Sequence, residues 1–566
     1  MAVCWAFLGI LRNQFASDDW ALIRQTVGIR GLDARHLYWM LTTTRLANST
    51  PLAWLSYAFD YAIWGLNPVG YHLTNLLLHA LNAVLLQRLA ARLLGRIFPD
   101  AEPFELALGA LVAALTFALS PLRAESVAWA SERRDVLAGM FFLSSLLLYV
   151  KFTLGQSFRA RRRDYILSLA LYIGAALSKA TVVALPLALL ALDIYPLRRL
   201  AATETPNERR ARVIEKLPYL ALAALAALLA LHAQLASGNL VALAAHSPSA
   251  RLAQALFGLG FYVRKTVFPD GLHALYPLGH PRLLSAPTLT GLATLAAAVG
   301  LCAAAGVTRR AQAALWIYYL ALLLPVLGLA QNGPQLVALR YSYLSCLGWA
   351  VLAGAAATAA ARARRKHPAR GAAALAALVV WLASGAWILQ RQIALWHDDF
   401  SLWGDVVARY PLSADANANF AAALLRGKDF PGAENRARLA LGLDPTSTSA
   451  HFTLAKALLA ENRPTDARDT LEQGLKSDPA WADGEALLGV ALSAEGRADD
   501  ALPHLQRAAA LLPDSAPAQA NAGAVLAQQR RYAQALPYFE QAARLDPAYA
   551  GQLEHLRRDL AGSRPR

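Results

Sequence analysis

The chain has 566 residues, of which 56% are hydrophobic and 16% charged, and it carries a net charge of +16. Ordinary soluble domains carry about 25% charged residues, so the composition excludes a wholly water-soluble protein and implies a membrane part joined to a polar one. The arginines lie between apolar stretches and form no continuous basic face, which argues against nucleic acid and for membrane lipids as the partner.

Met1 to Leu11 is an apolar run shorter than the roughly 20 residues a spanning helix needs. It lacks a basic leader and a small-residue cleavage site, so it is expected to be a first span cut short. Further apolar stretches lie near 69–94, 104–120, 135–154, 164–179, 181–196, 216–236, 287–306, 312–331, 341–361 and 372–390, giving about eleven expected spans within 1–395. Between the first two runs, 12–68 is a long loop whose Trp20, Trp39, Trp54 and Trp64 suit amphipathic helices at headgroup level.

Basic residues cluster after alternate spans: Arg88, Arg92 and Arg96, then Lys151 with Arg159 to Arg163, then Arg198, Arg199, Arg209, Arg210 and Arg212, then Arg309-Arg310, then "RARRKHPAR" at 362–370. These share one side if 251–269, "RLAQALFGLGFYVRKTVFP", lies at the interface or re-enters. The positive-inside rule then puts the N-terminus in the cytoplasm and the C-terminal region outside. Cys4, Cys302 and Cys346 stand alone in apolar segments, without metal-ligand spacing, and read as small core residues.

The C-terminal third is repetitive. Pro411, Pro445, Pro479, Pro513 and Pro547 recur every 34 residues, and Leu424, Leu458, Leu492 and Leu526 keep the same frame. Small residues recur at Ala421, Ala455, Gly489 and Gly523, and again at Ala433, Ala467, Ala501 and Ala535. Small side chains let the two helices of a hairpin approach closely, and each proline ends one unit before the next. The period and pattern resemble the tetratricopeptide repeat. An α-solenoid is expected over 396–566, with about four repeats near 411–546 and a C-terminal capping helix. Its concave groove would bind a protein or peptide acceptor, with Trp481, Tyr532 and Tyr538 as candidate contacts and core packing as their alternative role. The whole chain therefore reads as all-α.

Ionisable residues near span ends are costly to keep and are the first place to look for function. Three groups face the outer side in this topology. The first is Asp18-Asp19 in "FASDDW"; a helix cap and a catalytic base are its two readings. The second is "SPLRAESVAWASERRDVLAG", which holds Arg123, Glu125, Glu132, Arg133, Arg134 and Asp135. There Arg123 and Glu125, two apart beside Pro121, could converge on one ligand, or the turn could be an internal salt-bridge network. The third is Lys179 with Arg340-Tyr341, each where a span meets the outer face. Carboxylates can take a proton from an acceptor hydroxyl, and Arg or Lys can stabilise a departing phosphate. Together they suit glycosyl transfer from a lipid-linked sugar phosphate. A non-catalytic membrane scaffold for envelope or pilus assembly is the alternative. His36, His72 and His79 show no metal-ligand geometry; a divalent cation between the aspartates and a phosphate is compatible with the sequence but not required by it.

"LRNQFASDDW", "STPLAWLSYAFDYAIWGLNPVGYHLTNLLLHALNAVLL", "LSPLRAESVAWASERRDVLAG", "LSKATVVALPLALLALDIYP" and "FYVRKTVFPDGLHALYP" occur in that order. In these motifs the chain resembles bacterial relatives of the transmembrane and tetratricopeptide repeat-containing O-mannosyltransferases, a branch of the type C glycosyltransferase superfamily. The resemblance implies a multispanning fold and a polyprenyl-phosphate sugar as donor. It also implies mannose or a similar hexose placed on Ser or Thr with inversion, and a bacterial inner-membrane location with periplasmic repeats. It makes Asp18-Asp19 the counterpart of the family's acidic pair, either of which could be the base; the charged groups themselves are read with Glu125 as an orienting carboxylate and Arg123, Arg133, Arg134, Lys179, Arg340 and Tyr341 as the donor-phosphate contacts. The chain departs from the pattern at Thr50-Pro51 and at Arg123, where the family usually has histidines.

Overall fold

The computed structural model describes residues 1–44, 49–200, 205–237, 246–279, 281–331, 333 and 335–562. It divides into two compact units, Met1–Asp398 and Asp399–Arg566, against an expected boundary at 395/396. Both are helical; among the described residues the only sheet is the short antiparallel pair Tyr276–Pro277 and Gln335–Val337.

The longest helix, Pro68–Ile97, starts where proline presets the backbone and the Asn67 carboxamide oxygen accepts from Val69 N at 3.1 Å. Its buried stripe (Asn75, His79, Asn82, Leu86, Ala90, Leu93) follows the helical period. His79 on that stripe is satisfied inside the unit: it meets the Tyr343 hydroxyl at 2.9 Å and the Ala118 carbonyl at 3.2 Å.

Five described helices are long and apolar enough to cross a membrane: Pro68–Ile97, Ala130–Leu154, Pro206–Leu235, Ala286–Ala304 and Pro368–Leu395. The number rises to seven if the bent pairs Pro103–Ala118 with Pro121–Ala128 and Leu339–Ser345 with Leu347–Ala363 each count as one span. By length and composition this count takes in part of the eleven expected stretches. The reason is local: Ala2–Arg12 and Ala180–Ile194 are too short, and Phe158–Ala176 opens on a run of arginines. Pro121 and the polar 341–346 stretch break two more. Residues 251–269 fall on the helix Pro248–Val267, whose Phe261, Tyr262 and Val263 are buried.

The 12–68 loop also differs from a set of helices lying on the headgroups. Trp54 is 2% exposed and packs with Phe15, Ile23, Ile29, Met40, Tyr57 and Tyr71 in a core of its own. Its ring lies edge-on to Trp39 at 5.2 Å. Apolar burial outweighs interfacial placement wherever the loop can close on itself.

Two helix crossings depend on glycine. A Cβ on Gly260 would lie 2.3 Å from the Gly291 backbone, and one on Gly354 would lie 2.5 Å from the Gly109 carbonyl. Such small-residue contacts let backbones approach where no hydrophobic effect drives helices together.

In the second unit the helix pairs Ala414–Arg426/Phe430–Leu443, Thr448–Ala460/Pro464–Ser477, Ala482–Ala494/Ala498–Leu511 and Ala516–Gln528/Tyr532–Leu545 stack in order, followed by Ala550–Gly562. Ser413, Ser447 and Ser515 cap the first helix of their units through 3.3–3.4 Å bonds from the third amide onward. Ala433, Ala467, Ala501 and Ala535 are fully buried. Trp481, Tyr532 and Tyr538 are half-buried and pack against this core.

Gly260→Ala is expected to lower the thermal unfolding midpoint of the detergent-solubilised protein, at a cost of about 1–3 kcal/mol for overpacking. Gly300→Ala, with nothing within 4 Å of the added carbon, should leave it unchanged.

Candidate functional site

After the helix Pro103–Ala118 the chain bends by 52° at Pro121 and passes through three short helical turns before Arg133–Leu154 begins. Every residue from Pro121 to Arg133 is buried. A stretch whose charge density suits a solvated loop therefore lies inside the protein, and its charges need partners there.

The carboxylates find them on two other segments and within their own stretch. Glu125 accepts from the Arg340 backbone N–H at 3.0 Å and pairs with the Arg340 guanidinium, which also lies over the Trp129 ring. Glu132 binds Lys179 Nζ at 2.5 Å and Arg134 Nη2 at 2.9 Å. Asp135 binds the same Lys179 Nζ at 2.6 Å and accepts from Ser126 Oγ at 2.9 Å. Lys179 is thus clamped between two carboxylates. Beside it lies a closed cavity of about 20 Å³ lined by Asp135, Lys179, Thr181, Arg340, Tyr341 and Ser345, room for about one water.

The first loop reaches this array through its acidic pair. Asp19 is fully buried; one carboxylate oxygen accepts from Ala16 N at 3.0 Å and the other from Ser131 N at 2.6 Å. Tyr57 adds a 2.6 Å bond to the Ser131 carbonyl. Asp19 stands at the N-cap position of the turn Trp20–Arg24, yet its side chain makes no capping bond to it. It ties two loops together instead. Burial pushes its carboxyl up to about 7, against the stabilising pull of the two amides. Asp18, the next residue back, is exposed, and its charge acts on Arg134.

Glu125, Arg134, Lys179, Arg340 and Tyr341 therefore gather around one array, and Asp18 borders it. Arg123 and Arg133 do not join it. The expected convergence of Arg123 with Glu125 is replaced by divergence. Arg123 turns inward to Ser342 Oγ at 2.8 Å and sits 5.5 Å from both the Phe117 and Tyr343 rings. Two residues apart on a tight helical turn, their side chains leave in different directions. Arg133 is fully buried too. It pairs with Asp60 and donates to Asn75 Oδ1 at 2.9 Å, Tyr71 O at 2.7 Å and Ser56 Oγ at 2.9 Å, which uses up its donors in holding the first loop. Thr50, the other departure from the family pattern, is buried at the start of Pro51–Trp64 and makes no capping bond.

Glu132 and Asp135 prove as central as the residues given a role from the sequence, because each shares Lys179. Thr181 and Ser345, which line the cavity, carried only one signal: their nearness in the chain to Lys179 and Arg340. Among the described residues no set of three or more His, Cys, Asp and Glu is placed to hold a metal ion.

Comparison with known proteins adds two findings. Residues 424–490 and 516–549 match profiles described as Tetratricopeptide repeat. The chain is also similar to protein O-mannosyl-transferases. It is 38% identical over 127 residues to mouse Protein O-mannosyl-transferase TMTC2, covering 22% of this chain and 14% of the relative. It is 29% identical over 186 residues to mouse TMTC1, covering 31% and 19%. The chain thus matches well under a quarter of the length of these curated relatives. A solved Pseudomonas aeruginosa pilF structure is 30% identical over 25% of this chain and 67% of its own, with a TM-score of 0.24.

Because Asp19 has a raised pKa, the folded protein holds a proton there that the unfolded chain releases. Its contribution to stability is complete below the unfolded value of 3.8 and is lost as pH rises through about 7. The native unfolding midpoint is expected to fall relative to that of Asp19→Asn between pH 4 and 8. Thermal melts in detergent that ran parallel across this window would refute the assignment.

Proposed function

We propose that the protein is a multi-pass membrane glycosyltransferase of the type C class. It would move mannose or a similar hexose from a polyprenyl-phosphate donor to a Ser or Thr hydroxyl of a protein held by the tetratricopeptide repeats. The observation that carries this reading is the exposed carboxylate of Asp18 bordering an array in which Arg134, Lys179 and Arg340 are held by Glu132, Asp135 and Glu125. Similarity to transferases supports it and makes a non-catalytic scaffold the weaker reading.

In this reaction Asp18 takes the proton of the acceptor hydroxyl. The hydroxyl oxygen attacks the anomeric carbon from the face opposite the phosphate, and the C–O bond to phosphate breaks with its electron pair going to the lipid phosphate. One displacement inverts the centre. The cations best placed for the leaving phosphate are Lys179 and Arg340, which border the cavity. Both already hold carboxylates, so the donor phosphate has to compete with Glu132, Asp135 and Glu125, and the cavity must open to admit it. Asp19 acts as the tie that sets Asp18 in place. The array would face the periplasm of a bacterial inner membrane, with the N-terminus cytoplasmic and the repeats on the same side as the array.

Transfer of radiolabelled mannose from polyprenyl phosphate to envelope proteins tests this. Asp18→Asn should reduce transfer by at least about 100-fold, the usual worth of a general base, with the unfolding midpoint unchanged. Lys179→Met should also lose transfer. Full activity in Asp18→Asn would remove Asp18 from the chemistry, and inactivity of the native chain with several donor sugars would favour the scaffold.

A further inference from the structure

At the other end of several of the same helices lies a larger space. A groove of about 540 Å³ runs between Pro68–Ile97, Leu185–Ile194, Arg309–Leu323 and Leu347–Ala363. Its inner end is buried and apolar at Leu86, Leu146, Tyr318 and Leu347, where the Tyr318 hydroxyl is already spent on the Leu344 carbonyl at 3.0 Å. Its mouth opens where the helices end, at Phe98, Arg198 and the exposed Gly306 and Thr308.

The dimensions select the occupant. Leu347 and Ala359 both line the groove, and twelve residues of helix at about 1.5 Å each give a length of about 18 Å. That is close to one leaflet, about half of a 30 Å hydrocarbon core. An apolar groove of that length matches one acyl chain of a single leaflet.

The mouth selects the headgroup. Arg198 is exposed there, 5.8 Å from the Tyr195 ring, in a backbone conformation with φ +53°. Arg362 lies 5.6 Å from the ring of Phe98. Arg96 precedes Phe98 by two residues, and Arg309 and Arg310 follow Thr308 directly; all three are exposed. Of the nearby acids among the described residues, Glu102 and Glu105 are paired with Arg365 and Asp193 with Arg199 and Lys216, which leaves Asp100 against five arginines. Carbon chain inside and cations at the rim match an anionic lipid whose phosphate stays at the surface.

We propose that this groove is a binding site for an anionic glycerophospholipid, with one acyl chain between the helices and the phosphate at Arg198. It is a site separate from the charged array, and it stands whether or not the protein transfers a sugar.

Native mass spectrometry of the delipidated full-length chain in detergent micelles, titrated with phosphatidylglycerol and with phosphatidylcholine of the same chains, tests it. Phosphatidylglycerol should bind at least about fivefold more tightly, the worth of one basic side chain near an anionic headgroup. Arg198→Ala should bring that ratio close to one. Ala356→Trp, at an exposed position lining the groove, should abolish binding of both lipids. Equal binding of the two lipids by the native chain, an unchanged ratio in Arg198→Ala, or undiminished binding in Ala356→Trp would each overturn the site. So would displacement of phosphatidylglycerol by an equal concentration of polyprenyl phosphate, which would assign the groove to that lipid. Thermal melts establish that both variants fold; if Ala356→Trp does not, the Arg198→Ala ratio decides alone.

Discussion

The turn from Pro121 to Asp135 buries three carboxylates, and each is held beside a cation. That constraint organises the part of the membrane unit around the array. Glu125 draws in the 339–341 turn through Arg340; Glu132 and Asp135 draw in the 178–179 turn through Lys179. Removing one partner from such a set typically costs 3–5 kcal/mol, because it strands the other charge without water. Segments far apart in the chain are therefore held at fixed distances by electrostatics, while apolar packing fills the space between them.

The first loop is attached by the same logic. Arg133 faces away from the array and takes Asp60, Asn75, Ser56 and Tyr71 as partners, while Asp19 receives the Ser131 amide. With Asp19 committed to that bond, Asp18 is left on the exposed side of the same turn. Adjacent aspartates thus receive opposite environments from one backbone geometry, in which Ser17 adopts a positive φ of 54°. A buried acid that anchors and an exposed acid that can exchange protons are different chemical objects despite identical side chains.

The repeat unit obeys a simpler rule. Each helix pair buries alanine or glycine where its helices cross and leucine where it meets the next pair, and this recurs every 34 residues. One polar column runs through it: Asn417, His451, Glu485 and Gln519 are all buried at the same frame position. Asn417 donates to the Pro411 carbonyl at 2.8 Å and His451 meets the Pro445 carbonyl at 3.0 Å. Glu485 instead takes His504 at 2.6 Å. The column was invisible as a pattern because its residue types differ, though Asn417 and His451 each satisfy a carbonyl of the turn before them.

The helical class, the repeat frame and the three outer charged clusters were legible in the amino-acid order, because periodicity and local composition express themselves over a few turns of helix. Asp18-Asp19, Glu125, Arg134, Lys179 and Arg340 could be picked out as residues too costly to keep without purpose. The bends at Pro121 and Cys346 that divide two apolar stretches could not, since hydropathy does not register them. Nor could the direction of each charge. Arg123 and Arg133 look equivalent to Arg134 in "SPLRAESVAWASERRDVLAG", and only the three-dimensional packing sends two of them inward to Ser342 and Asp60. Which charges can meet a ligand depends on partners more than 40 residues away in the chain, and those distances are decided by the fold alone.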